Sequence, residues 1–521
     1  MVTGCVIRKK EYHDSVFLMR VARRISEQKG VLQAAALMGT EKNKVLLADI
    51  GIGGKEIEAA GPGDLIVAVK ADDGETLSAM LGNLDSWLQL SSGPPGATPF
   101  CTLEEALRRQ PHSNLVVISV PGEYAAREAR RSLERGLNVF LFSDHVPVKD
   151  ELALKEYARE KGLIVMGPDC GTALIGGKGI GFANAVRRGP IGVIGASGTG
   201  VQEFTTLVHH SGSGISHAIG TGSRDLADEI GGISLLSALG SLESEPQTKV
   251  IAILAKPPGK RTLANLLPKI QACSKPVVAC FLGETKNFQQ EDHSFQVART
   301  LNEAAAAAVQ IAAGSEKLPI LAEPQVSRIR LQGEKAAMKP GQKYIRGVFA
   351  GGTFCYQSQQ ILRDAGIRVS SNIPLEGNSE LPNPHSSLKH TLVDMGADEF
   401  TSSCPHPMID SSQRRERILA EAQDPEIAVL LLDFILGFNA SADPAGELLQ
   451  AITRAKEEVG KRGGFLCVVA SVCGTDEDFQ GFAKQVKLLQ GAGAVVFPSN
   501  AQSAAFCAAL IQSLQEGPDG R

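Results

Sequence analysis

The 521-residue chain is poor in aromatic residues and carries no excess of positive charge. Phenylalanine, tyrosine and tryptophan together make up 5% of it, Trp87 is its one tryptophan, and its formal net charge is -4. A nucleic-acid-binding surface needs clustered basic residues or aromatic rings on which bases stack. The composition therefore argues against nucleic acid as a partner.

Long apolar runs are also missing. The chain begins MVTGCVIRKKEY, without the apolar segment of a signal peptide, and the alanine-rich stretch 304–313 is too short to cross a bilayer. We expect a cytoplasmic protein without a membrane partner.

Cysteine pairs of the metal-binding type are absent. The ten cysteines are scattered, no two form a Cys-x-x-Cys pair, and several lie in apolar runs, as Cys280 does. This pattern is typical of free thiols in a reducing compartment. We predict neither disulfides nor a metal site.

What the sequence does contain is a regular alternation of apolar strands with amphipathic helices, together with 55 glycines. Such alternation predicts an α/β fold with parallel sheets covered on both faces. A Gly/Pro/Ser linker at 91–96 and later restarts of the pattern predict four parts. These are a small N-terminal α/β unit at 1–95 and three further domains at 96–188, 189–320 and 343–515.

The last two domains read as an internal duplication. Each opens with a strand, a Gly-Thr loop and a helix, and the two loops lie 154 residues apart. The later strands are offset by about 179 residues, which implies extra residues near 372–395. The loop residues are Ser197, Gly198, Thr199 and Gly200 in the first domain, and Gly351, Gly352 and Thr353 in the second.

A glycine-rich turn between a strand and a helix directs backbone amides and the positive end of the helix dipole at an anion. Neither loop is a P-loop, because no lysine follows either threonine, and the glycine spacing does not fit a dinucleotide fingerprint. The alternative is a tight turn with an ordinary helix cap. Two equivalent loops favour anion binding.

Several segments resemble known proteins. Residues 97–285 resemble the α subunit of succinyl-CoA synthetase and other NDP-forming acyl-CoA synthetases, and residues 344–512 resemble the C-terminal domain of its β subunit. Over nearly the whole length the chain is similar to the FdrA family, which joins these parts. The segments that carry the resemblance are 98–106, 118–124, 166–175 (MGPDCGTALI), 191–200 (IGVIGASGTG), 38–44, 217–226, 255–258, 390–398, 405–410 and 430–438.

The resemblance implies a Rossmann-like domain of the CoA-binding type at 96–188, followed by two flavodoxin-like domains of the succinyl-CoA synthetase type. It also implies that the chain is a subunit of a carbamoyltransferase in purine (allantoin) nitrogen catabolism. That enzyme converts oxalurate and phosphate into oxamate and carbamoyl phosphate, and a sister reaction on another carbamoyl or acyl substrate is the other possibility. Further subunits and a small carboxylate or carbamoyl substrate are the implied partners.

The chain departs from the synthetases at three points. Residues 1–95 contain no glycine-rich CoA loop, His293 lacks the glycines that flank the synthetases' phosphohistidine, and residues 255–258 (AKPP) replace their Gly-Glu-Ile-Gly-Gly loop. These departures argue against CoA or a nucleotide as cofactor. Phosphate or an acyl phosphate is the expected ligand of the seven loop residues.

Three other residues are candidate catalytic groups. Lys256 follows a buried strand at the edge where α/β active sites form, and is a candidate cation for phosphate or a carbamoyl oxygen. Arg224, beside Asp225, is a candidate anion clamp or half of a local ion pair. His406 lies between two prolines and is a candidate acid/base or a structural histidine.

Two other functions stay open. The first alternative is an NDP-forming acyl-CoA ligase. The second is a non-catalytic regulatory or scaffold subunit.

Overall fold

The computed structural model describes residues 2–11, 13, 15–26, 28–49, 51–88, 102–283, 295–314, 328–401 and 405–515. The chain divides into two compact units. The first contains Met1–Asn114 and Ser119–Tyr124, and the second contains Leu115–Ile118 and Ala125–Arg521.

The first unit is built on a three-stranded antiparallel sheet in which β3 lies between β1 and β2. The apolar strand β3 is buried over six of its seven residues, as expected of a central strand. The elements are β1 (Val2–Arg8), α1 (Ser15–Ser26), β2 (Val31–Met38), α2 (Glu41–Asp49), α3 (Lys55–Ala59), β3 (Leu65–Ala71), α4 (Gly74–Gly82), α5 (Leu84–Leu88) and α6 (Leu103–Arg109).

The second unit begins with a small parallel sheet of order β4-β5-β6. A hairpin of β7 and β8 follows, and β7 pairs with β10 of the next sheet. Residues 172–181 therefore belong to the sheet of the following domain, which differs from the expected extent of 96–188. The elements are β4 (Leu115–Ile118), α7 (Gly122–Glu134), β5 (Asn138–Leu141), α8 (Val148–Glu160), β6 (Val165–Met166), β7 (Thr172–Ile175) and β8 (Lys178–Gly181).

The next sheet has seven strands in the order β13-β12-β11-β9-β10-β7-β8. Its remaining elements are β9 (Arg188–Gly195), α9 (Gly198–His210), β10 (Ile215–Gly220), α10 (Ile233–Ser244), β11 (Val250–Ala255), α11 (Lys260–Gln271), β12 (Val277–Phe281), β13 (Gln296–Ala298) and α12 (Leu301–Ala313). Helix α13 (Arg328–Ala337) precedes the last domain.

The last sheet also has seven strands, in the order β16-β15-β17-β14-β18-β19-β20. Its elements are β14 (Tyr344–Phe349), α14 (Gly352–Asp364), β15 (Ser370–Ser371), β16 (Ser379–Glu380), β17 (Thr391–Asp394), α15 (Asp398–Thr401), α16 (Ser412–Glu421), β18 (Ile427–Ile435), α17 (Pro444–Lys461), β19 (Cys467–Cys473), α18 (Phe482–Gly491), β20 (Val495–Phe497) and α19 (Asn500–Gln515).

Five parallel strands follow the same order in both large sheets. The order β10-β9-β11-β12-β13 corresponds to β17-β14-β18-β19-β20, and both are the flavodoxin-like order 2-1-3-4-5. The short strand β16 lies in the segment near 372–395 where extra residues are predicted, and β15 directly precedes that segment. The predicted multidomain α/β fold with parallel sheets is confirmed.

The eight cysteines in the described ranges are free thiols, six of them buried. Cys101 and Cys404 lie outside those ranges. None of the helices within the described residues is long and apolar enough to span a membrane.

Candidate functional site

The first Gly-Thr loop joins the carboxyl end of β9 to the N-terminus of α9. Ser197 is the N-cap residue of α9, yet its side chain makes no capping hydrogen bond. The first amides of a helix have no partner within the helix, so those that follow Ser197 remain available to an acceptor. This hydroxyl and the amides together form one half of a possible anion site.

The second loop has the same position after β14, and Gly351 is the N-cap residue of α14. The start of the second loop is held in place by Asp433, a fully buried residue of the neighbouring strand β18. The Asp433 carboxylate accepts hydrogen bonds from the amides of Ala350 at 2.8 Å and Gly351 at 2.7 Å, and from Arg414 at 2.8 Å. This polar anchor fixes the loop just before α14 begins.

The two loops meet. The hydroxyl of Ser197 is hydrogen-bonded to the hydroxyl of Thr353. A Cβ atom at Gly200 would lie 3.2 Å from the Thr353 methyl group, so the absence of a side chain there permits the close approach. Helices α9 and α14 therefore bring their N-termini, with the positive ends of their dipoles, to one place.

A small cavity lies at this meeting point. Ser197, Gly200 and Thr353 line it from the loops, together with Lys256 and Tyr356. Its volume is about 10 Å³, which is room for roughly one water molecule. A larger anion would have to take the place of the Ser197–Thr353 hydroxyl contact.

Lys256 supplies a positive charge to the same cavity. It follows β11, its side chain is exposed, and its Nζ lies 4.9 Å from the centre of the Tyr356 ring. Tyr356 is on the first turns of α14, directly after the second loop. The sequence alone did not identify Tyr356 as part of the site. Its contact with a lysine of another domain depends on tertiary packing, which no local sequence pattern indicates.

Asp394 and His406 lie beside the second loop. Asp394 ends β17 next to β14, with Asp394 in register with Phe349. A Cβ atom at Gly396 would lie 3.2 Å from Asp394 Oδ1 and 2.6 Å from His406 Nε2, so the two side chains are near neighbours. Burial and the charge of Arg414 lower the pKa of His406 to about 4, and the imidazole is therefore neutral at pH 7.

Arg224 is bonded to residues that precede it by more than seventy positions in the chain. It pairs with Glu151 at 2.9 Å and donates to the carbonyl of Val146 at 2.7 Å. Its neighbour Asp225 bonds to Lys155 and to the amide of Leu235 at the start of α10. Arg224 is thus part of an ion pair, but with the distant Glu151 and not with its neighbour Asp225, whose carboxylate caps α10. His293 lies outside the described residues.

Three family models match the chain. One described as "AllF, heavy metal-associated domain" matches residues 1–98, a "CoA binding domain" model matches 186–283, and a "CoA-ligase" model matches 348–510. The CoA-binding match includes the first Gly-Thr loop. The CoA-ligase match begins just before the second loop and includes it. The CoA-binding match falls on the domain of the first loop rather than on the expected 96–188.

The residues of the first match do not fit a heavy-metal ion. Residues 1–98 contain one cysteine, Cys5, and one histidine, His13. Cys5 lies within the ladder of β1, and His13 is bonded to Glu11 and stacked on Phe17. Soft metals require several thiolate or imidazole ligands. No group of three or more possible metal ligands occurs among the residues with described positions.

The chain is similar to YahF of Escherichia coli (strain K12), with 42% identity over 507 residues, which cover 96% of this chain and 97% of that protein. It is 30% identical over 175 residues to the succinate–CoA ligase [ADP-forming] subunit alpha of Methanothermobacter thermautotrophicus, covering 33% and 58% of the two chains. The structure of a dinucleotide-forming acetyl-coenzyme A synthetase 1 from Ca. Korarchaeum cryptofilum aligns at 15% identity, with a TM-score of 0.33 and coverage of 82% and 88%.

Proposed function

The chain belongs to the FdrA-like family of succinyl-CoA-synthetase-like proteins, and from that premise we propose that it is the phosphate- and carboxylate-binding subunit of a carbamoyl or acyl transferase. The proposed reaction converts oxalurate and hydrogen phosphate into oxamate and carbamoyl phosphate, or is a sister reaction on another carbamoyl or acyl substrate. Partner subunits complete the enzyme.

The observation that carries this proposal is the contact of Ser197 with Thr353. It brings together two helix N-termini, whose free amides and dipoles favour a small, multiply charged anion over a neutral ligand. Each loop alone is compatible with an ordinary turn, but their convergence from two domains is difficult to explain by capping, since neither helix has a side-chain cap.

Lys256 and the anchored second loop support a transfer step as well as binding. The lysine charge neutralises phosphate and stabilises negative charge that develops on the carbamoyl oxygen. Asp433 and Arg414 hold the second loop in place before the ligand arrives, so that little reorganisation accompanies the reaction.

An NDP-forming acyl-CoA ligase is the second candidate, and the CoA-binding and CoA-ligase matches favour it. Such an enzyme forms a phosphohistidine, whereas AKPP stands at 255–258 and no glycines flank His293. Incubation with radiolabelled ATP, with and without CoA, separates the two candidates. An acid-labile phosphoprotein would support the ligase, and its absence would support the transferase.

The test of the transferase uses the complex that co-purifies with the tagged full-length chain. We expect Thr353→Val to lower phosphate-dependent formation of carbamoyl phosphate from oxalurate by about 10- to 100-fold, because a hydrogen bond to a charged ligand is lost. Thr199→Val should act in the same direction.

Thr453→Val is the matched control, since Thr453 is exposed on α17 and its hydroxyl donates to the Leu449 carbonyl of the same helix. Unchanged phosphorolysis in both loop variants would show that the loops are not the active site, and would favour a scaffold role.

A further inference from the structure

The carboxyl group of Asp394 stands directly at the N-terminus of the second loop helix. A Cβ atom at Gly352, the first residue of α14, would lie 2.6 Å from Asp394 Oδ2. Only glycine at this position lets the carboxyl group approach the start of the helix so closely. Asp394 therefore borders the place at which the two helix N-termini converge.

One oxygen of this carboxyl group is engaged and the other is not. Oδ1 accepts a hydrogen bond from the amide of Gly396 at 2.9 Å, whereas Oδ2 has no hydrogen-bond partner in the part of the chain that the structure describes. The side chain is only 8% exposed. The unengaged oxygen is therefore available for a hydrogen bond with a bound ligand.

We propose that Asp394 is the proton donor to the leaving group in the carbamoyl transfer, an inference that rests on the proposed function. The phosphate oxygen attacks the carbamoyl carbon of oxalurate and forms the new C–O bond. The C–N bond to the oxamate nitrogen then breaks, and this nitrogen takes the proton from Asp394. The resulting carboxylate recovers a proton from the hydroxyl group of hydrogen phosphate, so that protons and charges balance.

A proton donor is needed because an amide anion is a poor leaving group. The two helix N-termini and Lys256 stabilise negative charge, but the amides are not proton donors for this step and a lysine ammonium is a weaker acid than a carboxyl group. A general acid acts best when its pKa is close to the working pH. Burial, with Asp433 and Glu399 nearby, raises the pKa of Asp394 to about 7, although the Gly396 amide and Lys256 oppose the rise.

Two neighbouring groups, Cys355 and His406, are compatible with Asp394 as the proton donor. The buried thiol of Cys355 on α14 stays protonated, because burial raises its pKa. The amide of Met408 lies 3.2 Å from His406 Nδ1 and donates to it, which leaves the proton of the neutral imidazole on Nε2. His406 is thus a positioning residue, whose N–H can orient the substrate or the carboxyl group without competing for the proton.

The experiment compares Asp394→Asn and Asp394→Glu in the co-purified complex. We expect Asp394→Asn to lower kcat by about 100-fold or more while KM for phosphate changes less than about threefold. The wild-type kcat should fall as the pH rises through about 7, because the donor loses its proton, and Asp394→Glu should retain activity with that fall at a different pH. Asp364→Asn, an exposed aspartate at the end of α14 paired with Arg299, is the matched control.

The outcomes distinguish failure of the proton-donor role from failure of the proposed function. If the wild-type complex carries out phosphate-dependent transfer and Asp394→Asn leaves kcat and its pH profile unchanged, the inference is overturned and the proposed function stands. If the wild-type complex makes no carbamoyl phosphate, both fall together. A loss confined to KM for phosphate would make Asp394 a binding residue and would also overturn the donor role.

Discussion

At the scale of single residues, a buried acid affects stability as well as chemistry. The pKa of Asp394 rises from its ordinary value of 3.8 to about 7, chiefly through burial. Its folded form is therefore favoured while the carboxyl group is protonated, and this advantage is lost as the pH rises through 7.

Asp394→Asn removes the ionisable group and keeps an oxygen for the Gly396 amide. We expect the variant to gain stability relative to the wild type, by roughly 2 to 3 kcal/mol more at pH 8 than at pH 5. Thermal or urea unfolding at the two pH values measures the difference, with Asp364→Asn as control. An equal difference at both pH values would contradict the raised pKa.

The positions of candidate residues were predictable where a residue sits at the end of a strand. Lys256 and the loop residues follow β9, β11 and β14 directly, and carboxyl ends of parallel strands share one edge of a sheet. Arg224 also follows a strand, β10, but its partner Glu151 lies more than seventy positions earlier in the chain. Such a pair forms through tertiary packing, which a local pattern does not encode.

At the scale of elements, the C-terminal helix α19 is capped by a residue from another domain. Glu203 on α9 is buried and accepts a hydrogen bond from the amide of Asn500, the first residue of α19, at 2.8 Å. The Asn500 side chain in turn bonds to Gln357 and Ser358 on α14. This polar contact connects three helices of the two large sheets.

We expect Glu203→Ala to lower the free energy of unfolding by about 1 to 3 kcal/mol, because a buried helix amide loses its acceptor. Glu203→Gln keeps a carbonyl oxygen of the same reach and should cost less. Urea midpoints of the two variants measure this. Equal losses for both substitutions would argue that the hydrogen bond to Asn500 contributes nothing.

The order of strands and helices was largely predictable from periodicity, and the corresponding strand orders of the two large sheets agree with the predicted duplication. The hairpin of β7 and β8 lies within the expected domain 96–188 but joins the sheet that contains β9. Both strands are short, and the pairing of β7 with β10 depends on packing between distant segments. Local alternation does not determine which sheet an edge hairpin joins.

At the scale of the whole molecule, two related domains contribute one loop each to a common place. This is the part of the site that sequence reasoning could anticipate, since equivalent strand–loop–helix units suggest equivalent roles. The Ser197–Thr353 contact, and the lysine over the Tyr356 ring beside it, depend on the packing of α9 against α14. We propose that the two loops form a single anion site.

Phosphate titration of the full-length chain by isothermal calorimetry tests whether the two loops share one anion. We expect one phosphate per chain, bound more weakly in Ser197→Ala and in Thr353→Val. In the double variant, the loss of binding free energy should be clearly smaller or larger than the sum of the two single losses, because both hydroxyls contact one ligand. Two phosphates per chain, each sensitive to one substitution only, or binding that neither substitution changes, would contradict a shared site.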